Sequence, residues 1–327
     1  MKIAMLLDQQ SQLLVLDPKT ISLFAAAGSL VWNETNENDI ENARAILKDA
    51  DIAVTSWGSP AFTPCLLDMA PDLKLVLHAA GSVKSIVTDE LYRRGIRVVS
   101  SACVLSSGVS ETALGLTIAA CKNFFALNQE IREGKWSHTS ITDLYDITVG
   151  ILGMGIAGRH FAELLQSFSV NVIACDPLVS QEQMNLFHAE KVDLDTLFSR
   201  SDVLSLHAPI IESTHHIVNG RTLSLMKEGS ILINTARGAL VDEKALIEAL
   251  QNGRLKYACL DVTDPEPPVE NSPLRSLPNC ILTPHLAGQA GNGLKKIGRH
   301  CYEELVRYIN GEPLKAEIIQ NMLANIA

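Results

Sequence analysis

The sequence lacks the features that mark extracellular, zinc-binding or nucleic-acid-binding proteins. Its seven cysteines are an odd number, lie far apart and form no C-x-x-C pair, which argues against a disulfide framework or a zinc site. Lys and Arg number 27 against 37 Asp and Glu, for a formal net charge of −10, and no basic block is present to neutralise phosphates along a nucleic acid. We expect a cytoplasmic protein with no metal site and no nucleic-acid partner.

Long uninterrupted apolar runs are also missing. Apolar residues make up 47% of the 327 residues, but charges interrupt them before the roughly 18 to 20 residues that a bilayer span requires. The apolar N-terminus breaks at Asp8 and has no small-residue cleavage site, so it predicts a first strand and not a signal peptide. We expect a soluble chain without a membrane partner, and its length predicts two domains.

Short apolar strands alternate with helical stretches along most of the chain, which is typical of α/β folds with parallel sheets. The first series of predicted strands covers 2–7, 52–55, 73–78 and 97–100. A long helical run over 111–128 follows, with Ser110 as its N-cap. The second series covers 147–152, 171–174, 203–206, 230–234, 255–260 and 280–282. It predicts a complete Rossmann unit over 101–290, and the first series predicts a flavodoxin-like domain from 1–100 and 291–327.

A glycine-rich turn joins the first strand of the second series to a helix. The turn has the sequence Gly153-Met154-Gly155-Ile156-Ala157-Gly158, a G-x-G-x-x-G pattern. In this pattern the first glycine allows a tight turn, the second lets a pyrophosphate approach the backbone and the third lets the helix pack on the strand. The helix N-terminus adds unpaired N–H groups. The turn predicts a dinucleotide site, although an ordinary strand-to-helix turn has the same residues.

The next predicted strand ends at Asp176, which is 176 − 158 = 18 residues after the last glycine. A carboxylate at this spacing accepts hydrogen bonds from the ribose hydroxyls of adenosine. It also repels the 2′-phosphate of NADP, and no arginine stands beside it to offset the repulsion. The spacing therefore predicts NAD as the cofactor, the other interpretation being a turn residue before Pro177.

Three polar residues follow later strands of the same predicted sheet. Arg237 follows the strand over 230–234, and Glu266 and His285 follow the next two strands. Arginine suits a carboxylate bidentately. Reduction of a 2-oxo acid places negative charge on the carbonyl oxygen, and a histidine held by a carboxylate can donate the proton. The structural alternatives are a core histidine for His285, a surface ion-pair residue for Arg237 and a loop carboxylate for Glu266.

These motifs resemble the D-isomer-specific 2-hydroxyacid dehydrogenase family. The resemblance runs through the glycine loop, Asn234-Thr235-Ala236-Arg237-Gly238, Asp261-Val262 with Glu266-Pro267, and Thr283-Pro284-His285-Leu286-Ala287-Gly288. It implies NAD-dependent interconversion of a small 2-oxo acid and its D-2-hydroxy acid, as in the phosphoglycerate dehydrogenases and glyoxylate or hydroxypyruvate reductases. Arg237 would orient the substrate, His285 would exchange the proton and Glu266 would hold the histidine. Residues 101–290 would be the NAD-binding domain, and 1–100 with 291–327 the substrate-binding domain.

The resemblance also implies further cofactor contacts. His207, Ala208 and Pro209 would flank the adenosine side, while Thr235, Ala236 and Asp261 would surround the nicotinamide. The full set of implied cofactor residues is Gly153, Gly155, Ile156, Ala157, Gly158, Asp176, His207, Ala208, Pro209, Thr235, Ala236, Asp261 and Gly288. Many relatives have Arg-Ile where this chain has Ile156-Ala157, so the backbone amides would make these contacts.

One loop of the first domain departs from the family pattern. Where relatives carry a loop resembling G-V-G-V-D-N, this chain has Ala79-Ala80-Gly81-Ser82-Val83-Lys84-Ser85. Gly81 and Ser82 can still offer amides to a substrate carboxylate. Lys84 either receives a second anionic group or is a solvated loop residue.

A different class of function also fits these motifs. NAD(H)-sensing binding proteins of the corepressor type share this fold and retain the three polar residues, but often carry extra tails, which nothing after Glu312 resembles. By resemblance, the helix over 111–128 would pack across a two-fold axis, so the predicted oligomer is a homodimer.

Overall fold

The chain forms two compact units, each with a parallel sheet. The computed structural model describes residues 1–138, 140–289 and 291–326. The first unit comprises Met1–Leu105 and Gln289–Ala327, and the second comprises Ser106–Gly288. The sequence analysis divides the chain after residue 100 and after residue 290, the latter lying outside the described residues.

The first unit is built on a five-stranded sheet of order β2-β1-β3-β4-β5. Its strands are β1 (Lys2–Met5), β2 (Ser29–Trp32), β3 (Ile52–Thr55), β4 (Leu75–His78) and β5 (Arg97–Ser100). The helices between them are α1 (Gln9–Val15), α2 (Pro18–Ala27), α3 (Ile40–Leu47), α4 (Pro64–Leu67) and α5 (Asp89–Arg93). The strand order 2-1-3-4-5 is flavodoxin-like, which confirms the predicted fold of this unit.

Local sequence explains where these helices begin. Each of α1 to α5 follows an Asp or Thr in extended conformation whose side chain accepts a hydrogen bond from the first helical turn, and these caps are Asp8, Asp17, Asp39, Thr63 and Thr88. Such caps satisfy amides that have no partner within the helix. The sequence analysis missed β2, a four-residue, partly exposed edge strand that is separated from α2 by Gly28 alone.

The second unit is built on a seven-stranded sheet of order β12-β11-β10-β9-β6-β7-β8. Its strands are β6 (Tyr145–Leu152), β7 (Ser169–Cys175), β8 (Ala189–Lys191), β9 (Val203–Leu206), β10 (Ser230–Asn234), β11 (Leu255–Leu260) and β12 (Cys280–Leu282). Counted from β6, the order is 3-2-1-4-5-6-7, so its first six strands have the Rossmann order, which confirms the predicted fold. The sequence analysis missed only the three-residue β8.

In the described part of the chain, seven helices belong to this second unit, and one more follows it in the chain. They are α6 (Ala102–Cys121), α7 (Phe124–Arg132), α8 (Ile156–Leu165), α9 (Gln181–Asn185), α10 (Leu194–Arg200), α11 (Gly220–Leu225) and α12 (Glu243–Gln251), and α13 (Lys295–Ile309) returns to the first unit. All seven cysteines are free thiols.

The prediction of one helix over 111–128 was wrong in two respects: the helix begins earlier, and the run is divided into two helices. Helix α6 begins at Ala102, so Ser110 lies within it and is not an N-cap. The Ser110 hydroxyl donates instead to the carbonyls of Ser106 (2.8 Å) and Ala157 (2.9 Å). The run ends at Cys121 because Asn123 adopts a left-handed conformation with φ 57°, and a separate helix, α7, follows.

By length and composition, helix α6 could cross a membrane. Its most apolar stretch has a mean hydropathy of 1.3, and 17% of that stretch is buried. The expectation that no segment reaches this length was wrong for α6. Glu111 is its only charged residue, and its serines and threonines lower the mean hydropathy only slightly.

Candidate active site

The predicted cofactor and reaction residues lie along one edge of the second sheet. The register pairs the last residues of neighbouring strands with one another: Cys175 with Leu152, Leu152 with Leu206, Leu206 with Asn234, Asn234 with Leu260, and Leu260 with Leu282. The residues that directly follow these strands therefore form one row, in the order Asp176, Gly153, His207, Thr235, Asp261 and Thr283. Ligands of open parallel sheets bind outside this carboxyl edge.

The outer glycines of the glycine loop are required by neighbouring backbone. Gly153 has φ +95°, and a Cβ there would lie 2.7 Å from the Ala208 nitrogen. A Cβ at Gly158 would lie 2.1 Å from the Gly153 oxygen. By contrast, a Cβ at Gly155 would meet no atom within 4 Å. The loop therefore leaves open space at its middle glycine, where a pyrophosphate would approach.

The N-terminus of α8 offers backbone donors to an anion. Gly155 is its N-cap and makes no side-chain cap bond, so the first-turn amides of Ile156 and Ala157 have no cap partner there. Arg159 braces the loop, because its Nε donates to the Met154 oxygen at 2.9 Å and its guanidinium lies 5.6 Å from the Phe187 ring centroid.

Asp176 holds the glycine loop from the other side. Its Oδ2 accepts a hydrogen bond from the Met154 amide and its Oδ1 accepts one from the Leu178 amide, both at 2.8 Å. A carboxylate oxygen can accept more than one hydrogen bond, and Asp176 is only half-buried. It therefore retains acceptor capacity for the ribose hydroxyls.

His207 and Thr235 are neighbours in the row and each has a polar atom without a partner. His207 Nε2 lies 2.9 Å from Ser205 Oγ, and its ring packs against Phe161. Burial lowers the pKa of His207 to about 4, so its imidazole is neutral at pH 7. Within the described residues, His207 Nδ1 and Thr235 Oγ1 are buried without a hydrogen-bond partner. Such orphans are rare, and with the open Gly155 they fit a bound dinucleotide.

Arg237 stands on a loop fixed by Asn234. The Asn234 side chain accepts from the Ala236 amide (3.1 Å) and donates to the Arg237 carbonyl (2.9 Å). Gly238 is required because a Cβ there would lie 2.1 Å from the Thr263 backbone. Burial lowers the pKa of Arg237, and the charge of Glu266 opposes that shift. A guanidinium partly removed from water binds a carboxylate more strongly than an exposed one.

Glu266 and His285, separated by 19 residues, are in direct contact. His285 Nδ1 lies 2.6 Å from Glu266 Oε1, and the side chains are 44% and 43% exposed. Glu266 occupies Nδ1, so Nε2 is the nitrogen left for proton exchange with a substrate. His285 also has φ +52°, a left-handed conformation that is uncommon outside glycine and often marks functional sites.

Asp261 shapes the loop that carries His285. The residue is 1% exposed, and its carboxylate accepts hydrogen bonds from the Thr283 hydroxyl (2.5 Å), the Leu286 amide (3.0 Å) and the Ala287 amide (2.8 Å). The contacts that the structure gives this carboxylate are therefore to the 283–287 loop. Gly288 follows that loop, and a Cβ at Gly108 of α6 would lie 3.8 Å from its Cα.

In the first unit, Gly81 and Ser82 follow β4 at the carboxyl edge of that sheet. The Ser100 hydroxyl donates to the Gly81 carbonyl at 2.5 Å. Both residues are half-buried. The arrangement leaves the Gly81–Ser82 segment at the edge where ligands bind in parallel sheets.

The sequence analysis missed three supporting residues: Arg159, Ser205 and Asn234. Asn234 carried a usable signal, because an asparagine at a strand end commonly bonds the backbone two residues later. Ser205 and Arg159 carried none, because their contacts depend on how the chain folds around them.

Comparisons with known proteins show which family the chain is similar to. Residues 114–287 match the family model described as D-isomer specific 2-hydroxyacid dehydrogenase, NAD binding domain. A D-3-phosphoglycerate dehydrogenase of Methanocaldococcus jannaschii is 34% identical over 84% of this chain and 52% of its own length. A hydroxypyruvate reductase of Thermotoga maritima is 32% identical over 80% of this chain and 86% of its own length.

A solved structure shares the fold over nearly the whole chain. It is an acyclic imino acid reductase in complex with NADPH and D-Arg, with TM-score 0.81 and 26% identity, covering 98% of this chain and 100% of that one.

This chain spans about half the length of the phosphoglycerate dehydrogenases it matches, 52% and 48% for two of them. These matches confirm the family that the motifs predicted. The chain belongs to the D-isomer-specific 2-hydroxyacid dehydrogenase family of NAD-dependent oxidoreductases, and residues 114–287 are its NAD-binding domain.

Proposed function

We propose that this protein is a dehydrogenase that uses NAD to interconvert a small 2-oxo acid and the D-2-hydroxy acid. The contact of 2.6 Å between His285 Nδ1 and Glu266 Oε1, on the sheet edge that carries the glycine loop, is the observation that supports it most directly. Relatives named D-3-phosphoglycerate dehydrogenase and hydroxypyruvate reductase support the substrate class.

The protein's own groups would handle the proton and the carboxylate. When bound, NAD(H) supplies or accepts the hydride. Arg237 binds the substrate carboxylate bidentately. In reduction, His285 Nε2 gives a proton to the carbonyl oxygen as negative charge develops there, and in oxidation it takes the hydroxyl proton. Glu266 accepts from Nδ1–H, which orients the ring and leaves Nε2 for the proton exchange.

The cofactor would be NAD in preference to NADP. Asp176 would accept the adenosine ribose hydroxyls and repel a 2′-phosphate, while the α8 amides and Gly155 would receive the pyrophosphate. The remaining implied contacts are Gly153, Gly158, His207, Ala208, Pro209, Thr235, Ala236, Asp261 and Gly288. Because the solved imino acid reductase holds NADPH, this preference is tested with both cofactors.

The test is oxidation of NADH and of NADPH with a panel of 2-oxo acids, followed at 340 nm. We expect turnover with NADH and a much lower kcat/KM with NADPH. Turnover only with NADPH would contradict the cofactor assignment. A silent panel with intact NADH binding would contradict the dehydrogenase and favour the NAD(H)-sensing alternative.

We further propose that the protein is a cytoplasmic homodimer. Most side chains of α6 are only partly buried, and two large apolar residues of α7, Phe124 and Ile131, are 56% and 55% exposed. A second copy of the chain would cover this surface. Light scattering after size exclusion should give twice the chain mass of 35.5 kDa, and a monomeric mass would contradict the proposal.

A further inference from the structure

The sequence analysis found no arginine beside Asp176, but the fold of the second unit brings Arg159 close to it. Asp176 Oδ2 accepts a hydrogen bond from the Met154 amide at 2.8 Å, and Arg159 Nε donates to the Met154 carbonyl at 2.9 Å. Only three covalent bonds separate the amide nitrogen of a residue from its carbonyl oxygen, so the carboxylate and the guanidinium lie within about 10 Å of each other. A cation therefore accompanies the carboxylate that is predicted to receive the adenosine ribose.

The place of Arg159 in α8 explains this orientation. It is in the first turns of the helix, which begins at Ile156, and helical side chains point back toward the N-terminus of their helix. The guanidinium lies 5.6 Å from the centroid of the Phe187 ring, and Phe187 lies between α9 and β8. The guanidinium is therefore on the side of α8 that faces β7 and β8, the side on which Asp176 follows β7.

Most of the hydrogen-bonding capacity of Arg159 is free for a ligand. A guanidinium has five N–H donors, and within the described residues the structure gives this side chain one hydrogen bond, from Nε to Met154. Arg159 is also, in that part of the chain, the one arginine whose side chain contacts the glycine loop. Because it is only half-buried, its two terminal nitrogens are accessible to an anion that binds at the loop.

Other charges surround the adenosine end of the site. Asp193 follows β8, the strand that pairs with β7, and Lys191 Nζ donates to the Val179 carbonyl, in the loop after Asp176, at 2.6 Å. Two carboxylates are therefore matched by two cations, one of which is Arg159. Asp176 on its own would repel a phosphate, and the cations offset that repulsion.

We propose that the Arg159 guanidinium binds the 2′-phosphate of NADP(H), which makes the phosphorylated dinucleotide a second, weaker cofactor of this site. The inference rests on the proposed function and adds a cofactor to it. Asp176 still favours NAD, because it accepts the ribose hydroxyls and repels the phosphate. The planar guanidinium can offer its two terminal nitrogens to phosphate oxygens while Nε keeps its hydrogen bond to Met154.

The test measures binding, so that its result does not depend on turnover. NADPH and NADH differ by the 2′-phosphate alone, and the Kd of each is measured by fluorescence titration. The proteins are wild type, Arg159→Gln, Arg159→Lys, Asp176→Asn and the double variant with Arg159→Gln and Asp176→Asn. Arg200→Gln is the control, because Arg200 is an exposed arginine that ends α10 before β9, at the opposite edge of the same sheet.

The quantity compared is the ratio of the two Kd values, because loss of the Met154 contact would weaken both dinucleotides. We expect Arg159→Gln to raise the Kd for NADPH about tenfold relative to that for NADH, as for loss of one charge-assisted hydrogen bond. Arg159→Lys should keep most of the NADPH binding because the charge remains, and added salt should weaken NADPH more than NADH. Asp176→Asn should favour NADPH, and the double variant should lose that gain.

Three other results would overturn the inference in distinguishable ways. An unchanged ratio in Arg159→Gln would refute the role of Arg159 and leave the proposed function standing. NADH binding without any NADPH binding, in both wild type and Asp176→Asn, would refute the second cofactor alone. Failure of wild type to bind either dinucleotide would refute the proposed function and this inference together.

Discussion

The carboxyl edges of the two sheets are built in different ways. The edge of the second sheet is a row of residues in strand register that are polar at every position except Gly153, and its loops are fixed by Asp261 and Asn234. The edge of the first sheet has acidic residues after β1 and β2, a loop without charge after β3, and the Gly81–Ser82 segment with Lys84 after β4. The difference teaches that loops which require glycines and polar side chains at fixed positions leave a clear sequence signature, whereas the short Gly81–Ser82 segment leaves a weak one.

The two edges share one feature, a neutral buried histidine. His78 is the last residue of β4, and His207 is the first residue after β9. Burial lowers the pKa of each imidazole to about 4. Each edge therefore contains a group that resists protonation near neutral pH.

The largest expected effect separates the reacting edge from the other. His285→Ala should lower kcat by roughly 10² to 10⁴, because the general acid is lost, while the Kd for NADH stays near wild type. His188→Ala is a matched control, since His188 is exposed and has the same φ of 52°. Near-normal turnover in His285→Ala would remove the basis for assigning chemistry to this edge.

The second expected effect tests whether the polar row is also a scaffold. Asp261→Ala would leave three donors of the 283–287 loop without their buried acceptor, and we expect the free energy of unfolding to fall by about 3 kcal/mol or more. Urea denaturation measures it. Asp195→Ala removes a carboxylate from an exposed ion pair with Arg221 and should cost less than about 1 kcal/mol. Equal losses in the two variants would contradict the scaffold role.

The third expected effect concerns the feature that both edges share. Because the folded-state pKa values of His78 and His207 lie below the ordinary 6.5, the unfolded chain binds more protons between about pH 6.5 and 4. Stability should therefore be full above pH 6.5 and fall as pH drops to 4, by about 3 kcal/mol per histidine.

The measurement is the free energy of unfolding at several pH values for wild type, His78→Gln and His207→Gln. Each variant should show a shallower loss than wild type in this window. Parallel profiles for all three proteins would show that neither histidine carries the effect.

The smallest expected effect separates binding from folding within the glycine loop. Gly155→Ala introduces a Cβ that meets no protein atom within 4 Å, so stability should change by no more than about 1 kcal/mol. NADH affinity, measured by fluorescence titration, should fall about tenfold because the Cβ occupies the approach of the pyrophosphate. Gly153→Ala should instead unfold the loop, since its Cβ would lie 2.7 Å from the Ala208 nitrogen. Unchanged NADH affinity in Gly155→Ala would argue against binding there.

Much of the second unit could be predicted from sequence because β9 and β10 are fully buried and β11 is nearly so, which makes these strands rich in apolar residues. Val203–Leu206, Ser230–Asn234, Leu255–Leu260 and Cys280–Leu282 have the predicted bounds. The residues after them fall in one row as a consequence of parallel register. Because Glu266 and His285 both follow strands that end at that edge, the sequence predicted that they would meet. No local pattern links residues so far apart in sequence.

The remainder depended on information that is not local. Asp261 was interpreted as a cofactor neighbour, but which donors it accepts is decided by the fold of the 283–287 loop. The start of α6 was misplaced because Ala102 to Ser110 contains serines and a glycine that weaken a helical pattern.

The left-handed backbone of His285 has an evolutionary consequence. At φ +52° a glycine would relieve about 1 kcal/mol or more of conformational cost. The backbone conformation at this position therefore favours glycine, whereas the proposed proton exchange requires histidine. A library selected only for heat resistance should replace His285 with glycine or asparagine, whereas selection for turnover should retain it. Under the proposed function, thermal improvement of this scaffold therefore has a built-in conflict at His285.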